Sequence, residues 1–215
     1  MKKLILILLF FCTAVYAQEY KFDKRAIYQS EAKLQETLFC NSKDGNYVLR
    51  IIHYSDGVYA YLSDLKTKLF HCFTVNSAKQ VNNEYHLVFN YEYSVSDRDY
   101  YFGELLEYVV ISEDDTHTYG YINLYKNKRK KKLVSRLEVK VLKANENYFY
   151  LSKYLFFHPY ESDSRCNLNI NGVIEEVTKI SLFKSGKETV VKNYYKDSKL
   201  LSFKEVDFTI IVPKK

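Results

Sequence analysis

Residues 117–142 read HTYGYINLYKNKRKKKLVSRLEVKVL, and their pattern is the strongest indication of the fold class. From Leu133 to Leu142, apolar and charged side chains alternate, which is typical of a strand with one buried face. The run from His117 to Tyr125 alternates in the same way, with aliphatic residues on one side and tyrosines on the other. Six of the seven residues 126–132 between the two runs are lysine or arginine. The segment therefore predicts a long antiparallel hairpin with a highly charged tip.

The same alternation recurs along most of the chain, in short runs separated by turn residues. It predicts further strands at 47–54, 58–62, 67–75, 85–93, 100–111, 173–183, 187–195 and 200–212. Residues 148–157 are apolar or aromatic on both faces, which predicts a strand that is covered on both sides. The predicted fold class is all-β, mostly an antiparallel meander, arranged as a sandwich or like a barrel.

Residues 24–39 form the one segment with an ambiguous period. Ile27, Leu34 and Leu38 are seven and four residues apart, which suits one face of a helix. The apolar residues at even positions of 22–28 fit a strand equally well. The surrounding β pattern favours extended structure, and a single N-terminal helix is the alternative.

The N-terminus has the form of an export signal. Two lysines precede the apolar run of residues 4–11, and Val15 and Ala17 occupy the −3 and −1 positions of a cleavage site. The run is too short to span a membrane, which requires about 20 apolar residues. A lipid-modified Cys12 is the alternative, and Phe11 disfavours it because that pathway requires a small residue there. We expect a periplasmic or secreted protein with no transmembrane segment after cleavage.

The chain divides into a signal peptide, residues 1–17, and a single β-rich domain, residues 18–215. The full chain has 22 tyrosines, one methionine and no tryptophan, a composition that favours strands over helices. Its net charge is +6, and the basic excess is concentrated at residues 126–132. A domain of this length can bury a substantial core.

Residues that carry catalytic or metal-binding chemistry form no recognisable motif. Cys40, Cys72 and Cys166 remain after cleavage, and their spacing fits neither a redox motif nor a zinc site. At most one disulfide can form among them, and the sequence leaves its pairing open. The five histidines form neither HxH nor HExxH, so no metal and no cofactor is expected. His71 alternates with apolar neighbours and is expected to be structural.

Three features in the first quarter of the chain carry a resemblance to known proteins. They are Gln18 directly after the cleavage site, the start Phe22-Asp23, and the turn Asn41-Ser42-Lys43-Asp44-Gly45-Asn46-Tyr47. In these features the chain resembles small exported proteins of Bacteroidota. The resemblance implies a Gram-negative envelope and assigns neither an activity nor a site residue.

Two classes of function remain open. The first is a non-catalytic binding or interaction protein for an apolar small molecule or a cell-envelope component. Its candidate ligand contacts are Tyr148, Tyr150, Tyr154 and Phe156. The second is an envelope hydrolase whose carboxylates or histidines converge only in the fold. We favour the first class, because it explains the missing catalytic motifs, the aromatic segment and the basic tip together.

The basic tip is a second candidate site. It consists of Lys126, Lys128, Arg129, Lys130, Lys131 and Lys132. One hypothesis is weak electrostatic binding of anionic surfaces, which salt would screen. The alternative is a solvated hairpin tip whose lysines discourage edge-to-edge aggregation. Nucleic acid is not an expected partner, because export removes the usual target and no aromatic ladder lies within the cluster.

Overall fold

The computed structural model describes residues 17–30, 34–77, 87–96, 105–126, 129, 132–156, 168–191 and 198–213. Within these ranges the chain forms twelve strands and one short helix. The elements are β1 Ala17–Gln29, β2 Gln35–Asn41, β3 Asp44–Tyr54, β4 Gly57–Asp64, β5 Leu69–Ser77, β6 Leu87–Ser96, β7 Leu105–Glu113, β8 His117–Tyr125, β9 Leu133–Lys143, α1 Phe149–Phe156, β10 Gly172–Lys184, β11 Lys187–Val191 and β12 Lys199–Pro213.

All twelve strands belong to one open sheet. Its order is β6-β5-β4-β3-β2-β1-β12-β10-β9-β8-β7, with β11 paired to β10. Every pairing between strands is antiparallel, and most neighbours in the sheet are also neighbours in the chain. The all-β, mostly meandering prediction is therefore confirmed. The sandwich or barrel arrangement is replaced by a single sheet, in which β12 lies between β1 and β10.

The hairpin predicted at residues 117–142 is confirmed as β8 and β9. Ile122 lies directly opposite Leu137, and both side chains are buried, as the alternation requires. The backbone amide of Lys126 donates to the carbonyl oxygen of Lys132 at 2.9 Å, which closes the base of the tip. The eight further predicted strands correspond to β3–β7 and β10–β12, apart from those ends that fall outside the described residues.

The strand predicted at residues 148–157 is wrong, because α1 occupies this segment. The side-chain oxygen of Asn147 accepts a hydrogen bond from the amide of Phe149 at 2.9 Å and caps the helix. Tyr148, Leu151 and Leu155 are buried, and their spacings of three and four residues are helical. Nearly every residue of this segment is apolar, so the helical spacing could not be recognised in the sequence. The pattern of a short apolar run does not distinguish a strand from a buried helix.

The alternative of an N-terminal helix at residues 24–39 is also wrong. The described part of this segment forms the end of β1 and the start of β2, which pair with each other. Leu34, which the helical spacing would place on a buried face, is 54% exposed. The extended structure favoured by the surrounding pattern is therefore confirmed.

Two hydrophobic clusters lie on opposite faces of the sheet. The first contains the buried residues of α1 and β7–β10, with contributions from β1–β3, and the second is built from β1–β5 and β12. Adjacent residues of β2 show the division, because Leu38 belongs to the first cluster and Phe39 to the second. On β1, Phe22 belongs to the second cluster and Ala26 to the first, and a register shift against β12 lies between them. Such irregularities increase local twist.

The part of the sheet formed by β1–β6 and β12 is strongly curved, and we call it the curled half. The ring of Phe208 on β12 lies 4.9 Å from that of Phe39 on β2 and 5.6 Å from that of Phe22 on β1. It also lies 5.5 Å from the ring of Phe89 on β6, at the far end of the strand order. The two outer strands of the curled half therefore meet across the second cluster.

Candidate functional site

A cavity of about 400 Å³ opens at the end of the curled half where β1 begins. Its walls come from the first residues of β1, the turn between β2 and β3, and the end of β4, which antiparallel pairing brings to the same end of the sheet. Tyr20 and Tyr47 line it with their rings 5.2 Å apart, and most of the remaining lining is charged or amide-bearing. Small-molecule sites usually have volumes of roughly 300–1,000 Å³, so this cavity fits a small ligand.

A chain of hydrogen bonds runs from the cavity wall into the curled half. The hydroxyl of Tyr20 donates to Asp64 Oδ2 at 2.7 Å and lies 3.3 Å from His71 Nε2. On the other side of the ring, His71 Nδ1 lies 2.6 Å from Ser94 Oγ, which is 2.7 Å from the hydroxyl of Tyr91. Tyr20, Asp64 and His71 are buried. The chain links residues of four strands, β1, β4, β5 and β6.

Both ring nitrogens of His71 have hydrogen-bond partners. Because the Tyr20 hydroxyl hydrogen is used on Asp64, its oxygen is left to accept from His71 Nε2–H. His71 Nδ1 forms the second hydrogen bond, with Ser94 Oγ at 2.6 Å. Both ring nitrogens are committed within the protein, so His71 has a structural role, as its place in the sequence predicted.

Asp64 is an ionised carboxylate that is saturated with hydrogen bonds. Its Oδ2 accepts from the Gln18 side chain at 3.1 Å and from Tyr20, and its Oδ1 accepts from the backbone amides of Lys66 at 2.8 Å and Thr67 at 3.1 Å. Burial alone would raise the pKa of Asp64, but the hydrogen bonds, led by that from Tyr20, outweigh burial and hold the pKa below its usual value. Burial, followed by the neighbouring Asp64 carboxylate, raises the pKa of Tyr20. At neutral pH Asp64 is therefore ionised and Tyr20 is protonated.

The other two acidic residues of the cavity are also engaged. Asp44 Oδ1 accepts from the backbone amide of Asn46 at 3.1 Å and from its side-chain amide at 2.6 Å. Glu19 lies 3.7 Å from the ammonium group of Lys21, and both side chains are exposed. Each carboxylate of the cavity therefore has at least one partner within the protein.

Two lysines of the cavity remain without such partners. Lys43 and Lys66 line the cavity, are exposed, and form no ion pair with any residue in the described ranges. The turn that carries Lys43 is held rigidly, because the side chain of Asn41 accepts from the amides of Lys43 at 2.9 Å and Asp44 at 3.1 Å. The polar groups that the cavity can still offer a ligand are mainly ammonium groups.

The aromatic residues predicted as ligand contacts lie in or beside α1, and the two whose side chains are described, Tyr148 and Tyr150, do not line this cavity. Tyr148 is buried in the first cluster, and its hydroxyl donates to Glu146. The hydroxyl of Tyr150 donates to the carbonyl oxygen of Asn41 at 3.0 Å, so α1 supports the turn below the cavity. The side chains of Tyr154 and Phe156 lie outside the described residues.

The basic tip lies on the other half of the sheet, at the end of β8 and β9. Lys126, Arg129 and Lys132 are exposed there. Lys128, Lys130 and Lys131 are outside the described residues, so binding of anionic surfaces at the tip stays a prediction.

One histidine does converge with carboxylates, as the hydrolase alternative required. His117 Nδ1 lies 2.8 Å from Thr116 Oγ1, and its Nε2 lies 2.8 Å from Glu175 Oε2. This is the hydroxyl–imidazole–carboxylate order of a nucleophilic triad. However, the Thr116 hydroxyl donates to Asp114 Oδ1 at 3.1 Å, and Glu175 Oε2 also pairs with Lys140 at 2.8 Å. These contacts fit a charged turn, because the hydroxyl hydrogen is used on Asp114 and the carboxylate is shared with a lysine.

The described part of the chain holds no group of three or more histidine, cysteine, aspartate or glutamate residues placed to bind a metal ion. Cys40 and Cys72 are free and buried, and burial raises the pKa of the Cys40 thiol to about 12, which makes it unreactive. Cys166 lies outside the described ranges. No helix among the described residues is long and apolar enough to cross a membrane.

Comparison with protein-family models, curated proteins and solved structures finds no match to this chain. The cavity, its hydrogen-bonded wall and its unpaired lysines are therefore the features on which a functional proposal rests.

Proposed function

We propose that this chain is an exported, non-catalytic binding protein that holds a small anionic ligand in the cavity where β1 begins. The observation that supports this most directly is the division of charge within the cavity. Asp44, Asp64 and Glu19 have partners within the protein, whereas Lys43 and Lys66 have no ion-pair partner in the described ranges. A ligand with a carboxylate or phosphate group can accept hydrogen bonds from the ammonium groups of Lys43 and Lys66.

The state of the buried groups favours binding over catalysis. A general base or nucleophile must be able to exchange a proton with the ligand. Asp64 is saturated with donors, Tyr20 stays protonated, and both nitrogens of His71 are occupied. The same network fixes the cavity wall, and a preformed wall reduces the entropy lost when a ligand binds.

The charged lining also narrows the class of ligand. An apolar ligand would cover the ammonium groups of Lys43 and Lys66 without offering them an acceptor, which is unfavourable. The form of the N-terminus supports export, and the bacterial envelope contains many small molecules and polymers with acidic groups. An acidic envelope component is therefore the ligand class that we propose in place of an apolar molecule.

The test compares ligands that differ only in an acidic group. Galacturonate and glucose 6-phosphate are titrated by NMR into the protein comprising residues 18–215, and galactose and glucose serve as the neutral counterparts. We expect at least one acid to bind, with shifts centred on the amides around Lys43 and Lys66. The neutral sugars should bind at least tenfold more weakly.

Matched variants locate the binding. K43Q/K66Q removes two charges from the cavity and should weaken binding of the acid about tenfold. K184Q/K187Q removes two charges from the exposed β10–β11 hairpin and should leave binding unchanged. Equal binding of acids and neutral sugars, or an equal loss in both variants, would overturn the proposal.

A further inference from the structure

β1 and β12 place two basic residues opposite each other away from the cavity. These residues lie between the two register shifts of this strand pair. Here residues 24–27 pair regularly with residues 202–205. Directly opposed residues in an antiparallel pair share a face, and successive residues alternate between faces. On one face Lys24 lies opposite Glu205 and forms an ion pair with it at 2.8 Å. The other face presents Arg25 and Lys204.

Arg25 and Lys204 are two like charges placed directly opposite each other. Such cross-strand pairs are destabilising unless another group compensates the charge. Neither residue forms an ion pair within the described part of the chain. The nearest acidic position along β12, Glu205, points to the other face and is engaged by Lys24.

Two buried polar atoms on the same face have no hydrogen-bond partner. They are Nε of Arg25 and Oγ of Ser202, which lies two residues from Lys204 and opposite Ile27. Buried polar atoms of this kind are rare, because each one loses its hydrogen bonds to water without replacement. Their occurrence together, beside an uncompensated pair of positive charges, points to a missing anionic partner.

We propose that this face binds a small oxyanion between Arg25 and Ser202. The guanidinium offers Nε–H and a terminal N–H as a fork for two oxygens of one phosphate, sulfate or carboxylate group, and Ser202 offers a third donor. Lys204 adds positive charge at the exposed side of the site. Arg25 is only partly exposed and the Ser202 hydroxyl is buried, so the ligand is a free ion and not a group on an extended surface.

The site is independent of the cavity. Arg25 follows the register shift after Phe22, whereas β1 contributes only residues that precede this shift to the cavity. A structural oxyanion here would stabilise the pairing of β1 with β12, since ligands that bind only the folded state raise its stability.

The test is thermal unfolding at constant ionic strength in chloride, acetate, phosphate or sulfate. Sulfate and phosphate stabilise most proteins by exclusion from the surface, so the relevant quantity is the difference between wild type and R25M in each salt. We expect at least one oxyanion to raise the wild-type Tm by about 5 °C more than that of R25M at 100-fold over its Kd. In chloride, R25M should unfold no earlier than wild type, because it relieves the like-charge pair and removes an unpartnered Nε.

Two further variants separate this site from alternatives. S202A should weaken the oxyanion affinity about tenfold without removing it. K43Q/K66Q, which alters the cavity, should keep the full oxyanion response. If R25M responds to every anion as wild type does, the site does not exist. If K43Q/K66Q abolishes the response instead, the ion occupies the cavity, and this inference fails while the proposed function stands.

Discussion

Asp64 lies inside the curled half as an ionised carboxylate with four donors, two from the turn that follows it and two, Gln18 and Tyr20, from β1. The structural role of His71 could be predicted from its apolar neighbours. Its hydrogen bonds with Tyr20 and Ser94, and the bond from Tyr20 to Asp64, could not be predicted, because only the pairing of separate strands brings these residues together. The position of a polar residue in a strand with an alternating pattern does not predict which residue on another strand it will contact.

Replacing Tyr20 by phenylalanine tests this network at a single atom. Y20F keeps the ring but removes one donor from Asp64 and the acceptor for His71 Nε2. We expect the free energy of unfolding at pH 7 to fall by about 1–3 kcal/mol, measured by urea unfolding. Tyr54 is 51% exposed, so Y54F should have little effect and serves as the control. A Y20F protein as stable as wild type would show that the network contributes nothing.

The lowered pKa of Asp64 gives this stabilisation a defined dependence on pH. Its folded pKa is below its unfolded pKa of about 3.9, so the contribution is complete above the unfolded value and is lost as pH falls through the folded value. Loss of the Tyr20 hydrogen bond in Y20F moves the pKa of Asp64 back upward. The stability gap between wild type and Y20F should therefore shrink as pH falls below about 4, in urea titrations between pH 7 and 3. A gap that stays constant with pH would contradict ionisation of Asp64.

The elements show where sequence patterns are informative. The hairpin of β8 and β9 was predictable because each strand buries one face and exposes the other, so alternation marks its register. For α1, alternation and helical spacing cannot be told apart in the sequence, because its residues are apolar nearly throughout. Only the subset that is buried in the structure has helical spacing. The capping role of Asn147 was present in the sequence, but an isolated asparagine before an apolar run is typical of turns as well.

A glycine within β8 provides a test of how closely β7 and β8 pack. A Cβ added at Gly120 would clash with the carbonyl oxygen of Val109 and lie 2.9 Å from the ring of Tyr108. We expect G120A to lower the free energy of unfolding by about 1–3 kcal/mol in chemical denaturation. At Gly45 an added Cβ would meet the Tyr150 ring at an ordinary 3.4 Å, so G45A is the matched control. Equal effects in the two variants would mean that β7 and β8 are less closely packed than described.

In the whole molecule, the sheet is a predictable meander except at one place, where a strand pairs with strands that are distant in the sequence. The position of β12 between β1 and β10 unites the first and last strands of the chain. Its pairing with β10 is limited to Glu176 and Lys199, which also form an ion pair at 2.8 Å. The hydroxyl of Tyr28 bridges the same junction by donating to the carbonyl oxygen of Ile174 at 2.8 Å. No local pattern could predict this arrangement, because it depends on pairing between residues that are far apart in sequence.

Export is a prediction about the whole molecule, and mass spectrometry tests it directly. When the full chain is expressed in a Gram-negative host, we expect the envelope fraction to contain a product that begins at Gln18. The reason is the cleavage site formed by Val15 and Ala17 after the apolar run. A product that retains Met1, or one with a lipid on Cys12, would contradict the expectation.

Lysine footprinting can detect an anionic ligand at Lys43 and Lys66, where we propose that it binds. The folded protein is acetylated briefly with and without galacturonate or glucose 6-phosphate, and each lysine is quantified by mass spectrometry. We expect at least one acid to slow acetylation of Lys43 and Lys66 several-fold. Lys184 and Lys187 should react at unchanged rates, and the neutral sugars should protect none of the four lysines. Equal acetylation of all four lysines in the presence of either acid would contradict it.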